Sequence, residues 1–174
     1  TKAEKNAYCL PQAGSRPLHS RPVIAGSGPA GLFAAYALAE RGYAPIIVER
    51  GSDIEKRTED VCRFWKDGSL NPNSNVQFGE GGAGTFSDGK LNTLVKDVAG
   101  RNRFVLETFV KMGAPEEILY VNKPHIGTDI LKRVVKNLRN EICSLGGAFC
   151  FETQLTALES KNGRLSCVEF NRNK

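Results

Sequence analysis

The sequence has little that would hold a metal ion or form a disulfide. It contains only two histidines, and its five cysteines are spread along the chain, at Cys9, Cys62, Cys143, Cys150 and Cys167. Zinc sites and dithiol redox motifs need closely spaced cysteines, so neither is indicated, and thiol–disulfide chemistry is disfavoured. Unpaired cysteines are typical of reduced thiols, and we therefore expect a cytoplasmic protein without a metal site.

Long apolar runs and runs of one charge are also missing. No apolar stretch approaches the length of a membrane-spanning helix, so we expect no membrane partner. The net charge is +5, but the lysines and arginines are scattered along the chain, which indicates no nucleic-acid partner. With 40% apolar and 25% charged residues over 174 positions, the composition is that of one globular domain with its own core.

The chain divides into a short arm and one larger unit. Residues 1–20 are polar, contain prolines and show no periodicity, so we interpret them as an N-terminal arm or linker. Residues 21–174 predict one α/β domain. Because the chain begins at Thr1 and not at Met, we expect it to be part of a longer protein.

A β-α-β pattern opens this domain. Pro22–Ala25 is a short apolar strand, Leu32–Arg41 is an alanine-rich helix, and Pro45–Glu49 has the uninterrupted apolar stretch of a buried parallel strand. Periodicity predicts three more helices, over Glu55–Lys66, Asn102–Met112 and Thr128–Leu145.

The helix periodicity also predicts which sides are buried. The second helix should bury Val61, Phe64 and Trp65. The last helix carries an apolar stripe for the core, formed by Leu131, Val134, Val135, Leu138 and Ile142. We expect Thr128 or Asp129 to cap its N-terminus. The side of this helix opposite the apolar stripe carries three basic residues, Lys132, Lys136 and Arg139. We expect these three to be solvated.

The C-terminal part changes to a period of two residues. This period predicts one strand from Ala148 through Leu158. Asn162 and Gly163 are a strong turn signal, so we expect a β-hairpin whose second strand covers Leu165–Phe170.

The turn of the β-α-β unit fits the pattern GxGxxG, with the residues Gly26, Ser27, Gly28, Pro29, Ala30 and Gly31. The first glycine permits a tight turn, the second lets a pyrophosphate approach the backbone, and the third lets the helix lie close to the sheet. The N-terminal amides of the helix then face the phosphates. Glu49, at the end of the second strand, is expected to accept hydrogen bonds from a ribose hydroxyl. These features in this order predict a Rossmann-like dinucleotide-binding fold; the alternative is a glycine turn that binds nothing.

A second glycine-rich segment covers residues 71–89. The segment is long, and its part Gly81–Gly84 has no large apolar side chain to hold it, so we expect a ligand to order that part. Its backbone can approach a ligand at Gly81, Gly82, Ala83, Gly84 and Thr85. Asp88 and Lys90 add charge and hydrogen-bonding groups. A surface loop is the alternative interpretation.

These segments resemble a family of FAD-dependent dehydrogenases (NAD(FAD)-utilising dehydrogenases) of the glutathione-reductase-like flavoprotein class. The resemblance covers residues 22–51, 71–91, 113–120 and 123–129, and its most distinctive parts read NVQFGEGGAGTFSDGKL and KPHIGTD. It implies an α/β, Rossmann-like FAD/NAD(P)-binding domain with a parallel sheet and a β-hairpin. It implies FAD as the cofactor, but no particular small-molecule substrate.

The resemblance also implies which residues contact FAD. The pyrophosphate would lie at Gly26–Gly31 and the ribose at Glu49, with Arg50 as a neighbouring contact. Gly81–Gly84, with Thr85 and Asp88, would lie along the pyrophosphate and the flavin. Arg57 is implied as a phosphate contact, and the backbone of Leu155 as an adenine contact.

Similar proteins continue after the hairpin with another parallel strand and a substrate domain. We therefore expect residues 21–174 to be the N-terminal part of an FAD-binding Rossmann-like domain, inactive by itself, with an open sheet edge that can pair in a homo-oligomer. The expected function is the FAD-binding portion of a flavin-dependent oxidoreductase, with NADH or NADPH as a candidate electron donor. A non-catalytic dinucleotide-binding module and an NAD(P)-dependent dehydrogenase are the alternatives. No catalytic residue is assigned, and His125 and Asp88 are the only polar candidates.

Overall fold

A computed structural model of the chain describes residues 7–91 and 96–172. In chain order the helices and strands are β1 (Val23–Ala25), α1 (Pro29–Ala39), β2 (Ile46–Val48), α2 (Ile54–Asp67), α3 (Arg101–Lys111), α4 (Thr128–Ser144), β3 (Ala148–Cys150), β4 (Thr153–Lys161) and β5 (Arg164–Arg172). Short 3₁₀ turns cover Ala83–Phe86 and Glu116–Leu119. The predicted α/β class is confirmed, as is the order of its elements.

Three parallel strands form the sheet at the centre of the domain. Their order is β1-β2-β3, so that β2 is paired on both sides and β1 lies at one edge of the described sheet. Ile47, in the middle of β2, is completely buried. The uninterrupted apolar sequence of β2 follows from this position, because both faces of a central parallel strand are covered.

Helix α1 starts three residues after a sharp turn. Gly26 follows the last residue of β1 and has a φ of +93°, a backbone conformation that residues other than glycine rarely adopt. Pro29 occupies the first turn of the helix, where its missing N–H costs no hydrogen bond. The buried face of α1 comprises Leu32, Ala35, Tyr36 and Ala39.

The core lies where α1 and α4 meet over the sheet. The predicted stripe of α4 is confirmed, and all five of its apolar residues are buried: Leu131, Val134, Val135, Leu138 and Ile142. The predicted cap of α4 is wrong. Gly127 is the N-cap and makes no side-chain hydrogen bond, so neither Thr128 nor Asp129 serves that purpose.

Two predicted helix faces are right only in part: Val61 of α2 is buried and Lys136 of α4 is exposed, as expected, but one residue on each helix differs. On α2, Trp65 is 65% exposed, whereas the buried side carries Arg57 and Asp60 beside Ile54 and Val61. On α4, the side chain of Arg139 is only 15% exposed. Charged residues occupy these inner positions because distant parts of the chain supply their hydrogen-bonding partners.

The predicted strand from Ala148 to Leu158 is interrupted. β3 ends at Cys150, and Glu152 has a φ of +53°, which turns the chain into a second, two-stranded sheet formed by β4 and β5. The predicted hairpin is confirmed. Asn162 and Gly163 have φ values of +54° and +73°, as a two-residue hairpin turn requires.

The described part of the N-terminal arm lies against the domain. The guanidinium group of Arg41 donates hydrogen bonds to the carbonyl oxygens of Leu10 and Pro11, and the backbone N–H of Gly14 donates to the Tyr43 hydroxyl. Within residues 7–91 and 96–172, no helix combines the length and the apolar character that crossing a membrane requires.

The close approach of α1 to β1 gives a first prediction. A methyl group at Gly31 would overlap the carbonyl oxygen of Gly26, which belongs to the backbone and cannot rotate away. Gly31→Ala should therefore lower the free energy of unfolding by about 1–3 kcal/mol, measured by urea denaturation. Gly127→Ala is the control, since a methyl group there meets nothing within 4 Å. Equal losses for the two variants would contradict close packing at Gly31.

Candidate functional site

The turn between β1 and α1 is held by a buried carboxylate. The backbone N–H and the hydroxyl of Ser27 both donate to Glu49 Oε2, each at 2.8 Å, and the N–H of Gly51 donates to Oε1 at 2.9 Å. Glu49 thus connects the end of β2 to the glycine turn. An ionised carboxylate accepts about four hydrogen bonds, so capacity for another donor remains. A ribose contact at Glu49 stays a prediction.

The glycine-rich loop, which we define as residues 71–91, lies directly on this turn. The N–H of Gly81 donates to the carbonyl oxygen of Ser27 at 2.9 Å. A Cβ atom on Gly82 would lie 3.3 Å from the Cα of Gly28 and 3.2 Å from the Cδ of Pro29. The two glycine segments therefore touch through their backbones, which larger side chains would prevent.

Arg57 of α2 determines the shape of the loop. Its side chain is completely buried, and its guanidinium group donates to backbone carbonyl oxygens at 2.6–3.3 Å. The acceptors belong to Asn75, Val76, Gly79, Glu80 and Gly82. Burial lowers the pKa of Arg57 to about 10, which leaves the group charged at neutral pH. Arg57 therefore binds carbonyl groups of the protein, and the phosphate contact implied by the resemblance stays a prediction.

The same contacts correct the expectation that only a ligand orders the loop. The buried guanidinium group of Arg57 binds carbonyl oxygens along the loop and so fixes its position, and this does not require apolar side chains. Gly79 makes the close contact possible, because a Cβ atom there would lie 2.5 Å from the Cδ of Arg57 and its φ is +120°.

On one side of the contact between turn and loop lies a cleft of about 450 Å³, here called the polar cleft. It brings together six of the predicted cofactor residues: Gly26, Gly28, Glu49, Arg50, Gly82 and Leu155. The start of β4 closes it. The Arg50 guanidinium lies over the Phe78 ring, 3.9 Å from its centroid, and donates to the carbonyl oxygen of Pro72 at 3.1 Å. The sequence alone did not indicate Phe78, Gly79 or Thr153 as lining residues.

On the other side lies a second cleft, also of about 450 Å³, here called the apolar cleft. Three predicted cofactor residues besides Pro29 line it, namely Ala30, Gly81 and Gly84, together with side chains of α1, α3 and α4. The apolar side chains include Phe33, Leu91, Phe109, Leu131 and Val135. Phe33 follows Pro29 and Ala30 by one helical turn, so the helical period of α1 could have indicated it.

The two clefts have one wall in common. Gly28 and Gly82 line the polar cleft, whereas Pro29 and Gly81 line the apolar cleft. We call these four residues the shared wall. A ligand that extends across this wall can occupy both clefts at once.

The remaining predicted cofactor residues line neither of the two clefts. Ser27 and Gly31 form part of the glycine turn. The Thr85 hydroxyl is buried and has no hydrogen-bond partner among the described residues. Ala83 lies in the 3₁₀ turn of the loop. Asp88 is exposed and forms an ion pair of 2.8 Å with Lys90, whose ammonium group lowers the pKa of Asp88.

Lys90 lines the apolar cleft at its edge, and its backbone forms a bridge to exposed His125. All five cysteines are free. In the described ranges, no three His, Cys, Asp or Glu side chains are grouped so that they would hold a metal ion.

Comparison with known families and proteins agrees with this geometry. Residues 24–63 match the family model for an NAD(P)-binding Rossmann-like domain, and they include the last two residues of β1, the glycine turn, α1, β2 and Glu49. A Clostridium beijerinckii protein described only as an uncharacterized protein is 55% identical over 160 residues, which are 92% of this chain and 30% of that protein. The chain thus spans less than a third of the length of this curated relative.

Two solved structures are similar in fold. THI4 of Thermovibrio ammonificans has a TM-score of 0.51 at 18% sequence identity, covering 88% of this chain and 48% of that chain. L-amino acid deaminase of Proteus myxofaciens, solved in complex with anthranilate, has a TM-score of 0.41 at 15% identity, covering 95% of this chain and 45% of that chain. The likeness to THI4 supports the α/β fold of this chain.

The position of Arg57 gives a second prediction. Arg57→Lys keeps the charge but replaces the planar group with one ammonium, which cannot serve all of the carbonyls. The free energy of unfolding should fall by about 2–4 kcal/mol, because several buried carbonyls lose their donor. Urea denaturation measures the loss. The control is Arg63→Lys on the same helix, since Arg63 is mostly exposed and a lysine there can still pair with Asp60. A similar small loss in both variants would contradict the role of Arg57.

Proposed function

We propose that this chain is the FAD-binding portion of a flavin-dependent oxidoreductase. The observation that carries the proposal is the pair of clefts on either side of the shared wall. One cleft offers a carboxylate, a guanidinium and backbone amides, and the other is almost entirely apolar. FAD has a matching division, because its ADP half is charged and hydroxylated whereas its isoalloxazine ring is a flat aromatic system whose dimethylbenzene side is apolar.

The polar cleft fits the ADP half. A Cβ atom at Gly26 or Gly28 would meet nothing within 4 Å, so the space beside both backbones is open to a ligand. The first amides of α1 lack partners within the helix and point toward this end, which favours a pyrophosphate at Gly28. Glu49 is then in position for ribose hydroxyls, and Arg50 adds a positive charge beside them.

The apolar cleft fits the ring half of the cofactor. Its volume is within the usual range for a small-molecule site, and apolar side chains form most of its surface. Gly81 and Gly84 bring backbone to its edge, as the resemblance implies for the part of the loop beside the flavin. The ring would therefore leave the pyrophosphate at the shared wall and enter between α1 and α4.

In this proposal the protein binds and orients the cofactor. FAD supplies the redox chemistry when it is bound. This chain holds the two halves in separate clefts and excludes water from the ring through Phe33, Phe109 and the stripe of α4. The reducing partner is proposed to be NADH or NADPH, and the substrate is a small molecule whose identity these residues do not specify.

A third prediction tests the pyrophosphate position. Gly28→Val fills the polar cleft at the point where backbone meets phosphate. In the full-length protein it should remove detectable FAD binding, measured by equilibrium titration of flavin fluorescence. The free energy of unfolding should stay within about 1 kcal/mol, since the new side chain enters open space.

Gly127→Val is the matched control for this variant. Gly28 and Gly127 are both N-cap residues with extended backbone, without a side-chain hydrogen bond, and with open space at Cβ. Gly28 lines the polar cleft, whereas Gly127 lines neither the polar nor the apolar cleft. FAD binding retained by Gly28→Val, or lost equally in both variants, would show that the pyrophosphate does not lie at Gly28.

Two other functions are consistent with the same turn, and a fourth prediction separates them. The family model is described by NAD(P) binding, which favours a nicotinamide dinucleotide as the second candidate. We expect the purified full-length protein to be yellow and its flavin absorbance to bleach with NADH or NADPH. A yellow preparation that does not bleach would indicate a binding module without turnover. A colourless preparation that binds NADH would indicate the nicotinamide-dependent dehydrogenase.

A further inference from the structure

Glu80 occupies an unusual place in the glycine-rich loop. Its neighbour Gly79 lines the polar cleft and its other neighbour, Gly81, lines the apolar cleft. The side chain of Glu80 points away from both clefts and is completely buried. None of the features that bind a dinucleotide in the proposed function requires an acidic residue at this position.

The contacts of Glu80 connect the shared wall to two helices. Oε2 accepts hydrogen bonds from the N–H of Ile54, at the start of α2, at 2.7 Å and from Arg139 of α4 at 2.9 Å. The backbone N–H of Glu80 donates to the carbonyl oxygen of Ser52, and its own carbonyl oxygen accepts from Arg57 at 2.6 Å. Any displacement of this residue would therefore move Gly79, Gly81 and Gly82 with it.

The two carboxyl oxygens of Glu80 have different surroundings. Both donors approach Oε2, whereas buried Oε1 has no hydrogen-bond partner among the described residues. A neutral carboxylic acid matches this arrangement, with its carbonyl oxygen accepting both bonds and its hydroxyl at Oε1. An ionised carboxylate would instead leave negative charge on a buried oxygen without a donor, which is unfavourable.

The charged groups around Glu80 permit the neutral form. The start of α2 contributes Asp53, Glu55 and Arg57, and α4 contributes Arg139 and Cys143. Arg139 has a second carboxylate partner, because its Nη2 lies 3.0 Å from an oxygen of Glu55. Burial raises the pKa of Glu80 to about 7, and Arg139 opposes this rise only in part.

We propose that Glu80 is a positioning residue for the dinucleotide and that it holds the shared wall as a neutral carboxylic acid. This inference rests on the proposed function. Ionisation above neutral pH weakens the attachment of the wall, so that cofactor affinity falls as the pH rises. Glu80→Gln reproduces the shape of the neutral acid, with an amide oxygen for both donors, and removes the ionisation.

The first readout needs no cofactor. Hydrogen–deuterium exchange of peptides containing Gly81 and Gly82, corrected for intrinsic rates, is compared at pH 6 and pH 8 in the full-length protein. Wild type should lose protection at pH 8, Glu80→Gln should keep it at both pH values, and Glu80→Ala should lack it at both. The control is Glu59→Gln, since Glu59 is an exposed glutamate on the same helix α2 and removing its charge leaves Arg139 and Glu55 in place. This control should behave like wild type.

The second readout is FAD affinity in the same proteins. Wild type should bind FAD about tenfold more weakly at pH 8 than at pH 6, since only about a tenth of Glu80 stays protonated one pH unit above its pKa. Glu80→Gln should change by less than about twofold. The inference would be overturned if the FAD affinity of Glu80→Gln depended on pH as that of wild type does. It would also be overturned if the amide protection of Glu80→Gln were as low as that of Glu80→Ala. A third contradicting result would be amide protection that depends on the protonation of Glu80 together with an FAD affinity that does not.

The two proposals fail in different ways. If wild type binds no FAD at either pH, the proposed function is wrong, and the exchange measurement alone decides whether Glu80 holds the wall. If wild type binds FAD with equal affinity at both pH values and Glu80→Gln matches it, the proposed function stands and the role of Glu80 is wrong.

Discussion

The buried guanidinium group of Arg57 determines where the glycine-rich loop lies. A charge placed inside a protein loses its hydration and must be compensated by oriented dipoles. Here carbonyl groups from two parts of the loop converge on one planar group, because its donors point in several fixed directions. The position of the loop follows from this requirement, and so does the conformation of Gly79, whose backbone must come close to the arginine side chain.

The shared wall follows from the placement of the loop. Gly82 lies against Gly28 and Pro29, and the N–H of Gly81 meets the carbonyl oxygen of Ser27. Two backbones without side chains approach closely enough to divide one surface into a polar and an apolar cleft. The division suits a ligand with two unlike halves. Buried acids secure both partners of the contact, Glu49 beneath the turn and Glu80 beneath the loop.

Much of the fold could be predicted because it depends on neighbours in the sequence. The buried faces of α1 and α4 follow the helical period, the hairpin follows from Asn162 and Gly163, and the glycine turn follows from its spacing. The same spacing predicted one part of the polar cleft, since Gly26, Gly28 and Glu49 come from consecutive elements of one β-α-β unit. The glycine-rich edge of the apolar cleft was predicted, but its apolar side chains were not, because α1, α3 and α4 meet there only after folding.

Local periods and turn chemistry by themselves thus determined the strands of the sheet, the stripe of the longest helix and the glycine turn. Only the tertiary structure decided which charged residues are buried and that Trp65 is exposed. Arg57, Arg139 and Glu80 resemble surface residues in the sequence, yet each is buried or nearly so. A polar side chain is stable inside a protein only where its partners are, and these partners lie far away along the chain, where no local pattern indicates them.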